Sequence, residues 1–67
     1  MSYCKAYREH KEKYGDYNLM GQALWLLCRI EETDFTNEGN VQNLKIVAKR
    51  VSDNIREIIK GRLQEQK

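Results

Sequence analysis

The side chains with chemical reach in this chain are few, because Cys4, His10 and Cys28 are its only thiols and its only imidazole. A thiol paired with an imidazole is the least that nucleophilic catalysis needs. Cys28, however, lies inside the apolar run LMGQALWLLCRI, where it reads as a small hydrophobe. Cys4 falls in the first turn of a terminal helix. No glycine-rich phosphate cradle, oxyanion-hole loop or carboxylate pair set in apolar sequence accompanies them. The chain is therefore read as non-enzymatic, with no catalytic residue.

Metal chemistry fails on ligand count. A structural zinc site takes four Cys or His ligands, and this sequence has three, with no C-x-x-C or H-x-x-x-H pair. No metal and no other cofactor is expected; a site shared between two copies is the one exception. The N-terminal segment MSYCKAYREHKEK is charged from Lys5 onward and has no apolar leader core. Cys4 and Cys28 are accordingly expected as reduced thiols in the cytoplasm, with Cys28 buried.

The aromatic side chains form a second group. Tyr3, Tyr7, His10, Tyr14 and Tyr17 recur at spacings of four, three, four and three, which places them on one helix face. Half-buried packing with the hydroxyls in solvent accounts for such a stripe. As a contact surface it makes Tyr7 and Tyr14 candidates for binding a partner, and stacking on a small aromatic or nucleotide ligand is a remote third reading. Trp25 falls between Gly21 and Arg29 on the polar side of its helix. It is the leading partner-binding candidate, covered either by a second copy or by another protein.

A third group is cationic. Lys45, Lys49, Arg56 and Lys60 share a strip about 60° wide on one helix. They read first as a solvated face and, in the alternative, as a track for a phosphate backbone. The chain carries twelve basic and ten acidic residues, a net +2 too mild to argue for nucleic acid by itself. Five basic and three acidic groups lie in residues 1–30, none and four in 31–43, and seven and three in 44–67. An acidic connector thus separates two mildly basic arms.

Helices must position all three groups. Proline is absent, glycine is sparse, and no strand-like alternation occurs, so the fold class is all-α. The chain forms a single helical domain over residues 1–67, with helices expected at about 2–14, 16–32 and 38–65. Ser2 is the expected N-cap of the first. Gly15-Asp16 is read as a break or kink, with Asp16 as N-cap of the second helix; the alternative is one helix from Tyr3 to Glu32. Phe35, in the connector EETDFTNEGN, is expected to pack onto the helices as a plug. The last helix carries a seam of Val41, Leu44, Ala48, Val51, Ile55 and Ile58, flanked by Val47, Ile59 and Leu63.

The central run organises the rest. Leu19, Met20, Ala23, Leu24, Leu26, Leu27, Cys28 and Ile30 cover roughly 200° of helix surface, more than a two-arm antiparallel hairpin can bury. A chain of 67 residues has little core to spare. The expectation is a homo-oligomer, a dimer at least, completing a bundle, with Leu24, Leu27, Val51, Ile55 and Ile58 as its core and oligomer contacts. No stretch approaches the ~20 apolar residues of a membrane span. The functional expectation is a protein-binding regulator, inhibitor or adaptor. A dimeric nucleic-acid-binding regulator using Lys45, Lys49, Arg56 and Lys60 is the alternative.

Overall fold

In a computed structural model the chain forms three α-helices: α1 (Tyr3–Tyr14), α2 (Leu19–Glu32) and α3 (Glu38–Glu65). The structure describes residues 2–65, with side chains through Arg62, so Leu63 of the expected seam flank lies outside the described side chains. The molecule is flat, with extents of 47 × 23 × 14 Å, its shortest dimension little more than one helix diameter. Among the described residues α1 and α3 both pack against α2 and not against each other. The layer order is α1, α2, α3, with the apolar run in the middle.

Local chemistry sets the boundaries. Ser2 is extended and its hydroxyl accepts from the Lys5 amide at 3.3 Å, an ordinary N-cap. α1 stops because Gly15 takes φ 77°, a left-handed conformation that favours glycine, and its amide donates to the Lys11 carbonyl at 2.9 Å. The Gly15-Asp16 joint is therefore a true break. The expected Asp16 cap of α2 is not formed: Asn18 caps the helix instead, its side-chain oxygen accepting from the Gly21 amide at 2.7 Å. Asp16 sits too early because residues 15–18 are needed to reverse the chain.

That reversal explains Gly21. A Cβ there would meet the Asp16 carbonyl oxygen at 2.7 Å, so α2 can approach the loop backbone only without a side chain at this position. At its other end α2 closes with the Thr33 hydroxyl donating to the Arg29 carbonyl at 2.6 Å. The connector then turns on Asp34, whose carboxylate accepts from the Thr36 amide and hydroxyl. Phe35 lies at the tip, 62 % exposed, and is no plug: the Asp34 turn holds it away from the helices.

The apolar interior is small. Among the described side chains only Cys28 and Val51 are buried hydrophobics, at 7 % and 1 % exposure. Leu24, Ile55 and Ile58 are half-buried. Leu27, expected in the core, is 37 % exposed, because α1 and α3 approach α2 from other directions. No helix of the described residues is long and apolar enough to cross a membrane.

Candidate functional site

The directions from which α1 and α3 meet α2 define its two free sides. Cys28 faces α1 and Gln22 faces α3. These positions lie about 120° apart around the helix. The narrow side between them carries Trp25 and Arg29. The wide side carries Met20, Ala23, Leu27 and Ile30, which fall within about 80° of one another. All four are exposed, Met20 by 58 % and Ile30 by 39 %. No charge lies among them, so the most apolar helix of the chain turns an aliphatic strip to solvent.

The narrow side is a groove of about 410 Å³ lined by Cys4, Tyr7, Arg8, Trp25, Cys28, Arg29 and Glu32. Two of the three expected partner-binding residues, Trp25 and Tyr7, meet there. Tyr14 does not. It stands 71 % exposed at the far end of α1, its ring 5.0 Å from that of His10. The expected stripe is thus half-buried only at Tyr7 and His10, while Tyr3, Tyr14 and Tyr17 are exposed.

Around the buried Cys28, the α1–α2 junction is tied by polar contacts. The Tyr7 hydroxyl donates to Asp16 Oδ2 at 3.4 Å, and Lys11 lies 3.9 Å from the same carboxylate. Burial, then the Asp16 charge, then that hydrogen bond hold the Tyr7 phenol above its ordinary pKa. His10 Nε2 lies 2.8 Å from Asn18 Oδ1, the atom that also caps α2. His10 is therefore engaged well over a turn along α1 from Cys4, and no Cys–His pair forms. At the other end Glu31 accepts from the Ser2 hydroxyl and from the Tyr3 and Cys4 amides at 3.3–3.4 Å. α1 has no acidic residue in its own first turn, and α2 supplies one.

Cys4 and Cys28 are joined in a disulfide, their Cα atoms 4.5 Å apart. The expectation of two reduced thiols is overturned, and the compartment inferred from it loses that support. Sequence reading missed the pairing because it is made by the antiparallel return of α1 along α2, which spacing alone does not reveal. Glu32 was also missed. Its Oε1 lies 3.2 Å from Cys28 Sγ and 3.3 Å from Cys4 Sγ, giving three potential ligand atoms where only Cys and His had been counted.

On α3, Lys45, Lys49, Arg56 and Lys60 are all exposed. Arg56 lies 3.7 Å from Asp53, and the other three form no ion pair among the described residues. The half-buried side of α3 holds one polar anchor: Asn54 Nδ2 donates to Gln22 Oε1 at 3.0 Å. Gln22, 3 % exposed, passes its own amide to the Asp16 carbonyl at 2.9 Å. The buried polar chain therefore runs from the α1–α2 loop through α2 to α3.

The chain matches no protein-family model, no curated protein and no solved structure.

Proposed function

We propose that this protein is a non-enzymatic, self-associating binding module, a regulator, inhibitor or adaptor that assembles through one side of α2 and engages another protein through the other. The bare strip of Met20, Ala23, Leu27 and Ile30 carries the reading. A second copy is its occupant. The strip is uncharged, so nothing in it repels its own image across a two-fold axis, and it adjoins a seam that the isolated chain leaves half-buried. Covering it would supply the interior that two buried hydrophobic side chains do not. Assembly on the wide side leaves the Trp25–Tyr7 groove open on the narrow side, where an amphipathic aromatic flanked by Arg8 and Arg29 suits a protein partner.

Leu27→Lys tests the assembly half. Light scattering should show it falling to a monomer with its helical spectrum intact, whereas Trp25→Ala should keep its mass and lose about 2 kcal/mol or more of partner binding. An unchanged mass for Leu27→Lys would remove the strip from the account.

A nucleic-acid reading has one observation in its favour, the exposed row of Lys45, Lys49, Arg56 and Lys60. Titration of mixed-sequence duplex DNA and single-stranded RNA at two salt concentrations separates the readings. The protein-binding account expects no salt-sensitive association. Binding that falls steeply with salt and disappears when all four cations become glutamine would put the basic row first.

A further inference from the structure

Cys4, Cys28 and Glu32 converge at one end of the Trp25 groove, one ligand atom from each lying within 4.8 Å of the other two. Their meeting has a simple origin. Cys28 and Glu32 stand four residues apart on one face of α2, and Glu31 clamps the first turn of α1 so that Cys4 comes over them. A disulfide sulfur has no proton to give. While the bond is intact, the Glu32 carboxylate therefore receives no hydrogen bond from either sulfur it approaches. It also forms no ion pair among the described residues, although Arg8 and Arg29 line the same groove.

We propose that reduction converts this triplet into a binding site for a zinc-class divalent cation, held by the Cys4 and Cys28 thiolates and a Glu32 carboxylate oxygen, with a fourth position open to the groove. Zinc takes sulfur at about 2.3 Å and carboxylate oxygen at about 2.0–2.2 Å, so the edges of its tetrahedron are roughly 3.5–3.8 Å. The two sulfur–oxygen separations, 3.2 and 3.3 Å, are already close to that. Once the sulfurs are no longer bonded they separate to ordinary contact, which is the remaining edge. Two thiolates select zinc-class ions over magnesium or calcium. The three-ligand set leaves the open position that structural zinc sites lack, facing Trp25 and Tyr7.

The chemistry balances with a dithiol reductant. It delivers two electrons and two protons, the Cys4–Cys28 bond breaks, two thiols form, and the reductant leaves as its own disulfide. Metal entry then displaces the two thiol protons to solvent. α1 is consequently stapled to α2 by a covalent bond when oxidised and by a cation when reduced. Only the reduced, metal-free chain lacks both.

Cobalt(II) added to the full chain tests the site, since cobalt bound to thiolate absorbs by charge transfer. After phosphine reduction the protein should bind one cobalt per chain with that band, zinc should displace it, and the oxidised protein should show no band. Cys28→Ser should abolish the band. Glu32→Gln, with its helical spectrum unchanged, should weaken cobalt binding roughly ten-fold or more. If reduction lowers helix content, zinc should restore it. No band in the reduced protein, one cobalt per two chains, Glu32→Gln binding as tightly as the parent, or helix lost on reduction and not restored by zinc would each overturn the proposal.

Discussion

The two partners of α2 are held by different physics. α1 is fixed by directional bonds: a disulfide and the Glu31 clamp at one end, Tyr7–Asp16 and His10–Asn18 toward the other. α3 has 28 residues against 12 in α1, yet it is fixed by half-buried apolar side chains around Val51 and by one side-chain hydrogen bond, Asn54 to Gln22. Directional bonds specify a geometry while burying little apolar area, and apolar packing contributes free energy while specifying little geometry. The α1 junction therefore defines a site, the Trp25 groove. The α3 junction defines a surface whose apolar side remains open along Met20, Ala23, Leu27 and Ile30.

The sharpest way to break this contrast is to remove the covalent bond. For a sequence separation of 24, the chain-entropy relation gives the disulfide about 3.5 kcal/mol. Urea denaturation of metal-free protein with both cysteines changed to serine should show a loss of that order. A midpoint that hardly moves would mean that the polar contacts alone hold α1.

Gly21→Ala comes next. It raises helix propensity, but its Cβ would press on the Asp16 carbonyl, and the net expectation is a loss of about 1–3 kcal/mol in the same assay. A stabilised variant would show that residues 15–18 are not seated against α2.

Asn54→Ala probes the α3 side by leaving the buried Gln22 oxygen unpaired, a cost of about 1–3 kcal/mol. Adding Gln22→Leu removes the orphaned oxygen but also the donor to the Asp16 carbonyl, so it should recover part of the loss if apolar packing is what holds α3. A recovery of nothing would make the polar chain, and not the seam, the main tie.

The smallest effect belongs to Tyr7→Phe, about 0.5–1.5 kcal/mol. Its pH dependence is the more telling readout. The folded-state pKa of Tyr7 is raised, so the contribution of the neutral phenol is fully present below the unfolded value near pH ~10 and is lost as pH rises through the folded value. The parent protein should lose stability in that alkaline window by an increment absent from Tyr7→Phe. Identical profiles would detach Tyr7 from Asp16.

These features differ in how far the sequence disclosed them. Helix class, the break at Gly15, the Ser2 cap and the start of α3 at Glu38 follow from local rules, and local rules can be read one turn at a time. The buried places of Val51 and Cys28 followed from periodicity. Leu27 did not, because a 200° apolar arc says that a helix wants cover and not from which direction cover comes. The same limit hid the Cys4–Cys28 bond, the Glu32 contact and the Glu31 clamp, all of which join residues at least 24 apart or need that pairing to matter. In the sequence Gln22 is a polar residue inside the apolar run LMGQALWLLCRI, with nothing local to mark it as buried. Its burial is explained only once Asp16 and Asn54 are both in place.

Sedimentation equilibrium of the oxidised, metal-free chain at micromolar concentration reads out self-association through the open side of α2. The parent protein should show at least twice the 8.0 kDa chain mass, and Leu27→Lys a single chain mass with its helices intact. A parent species of 8.0 kDa that unfolds cooperatively would contradict it.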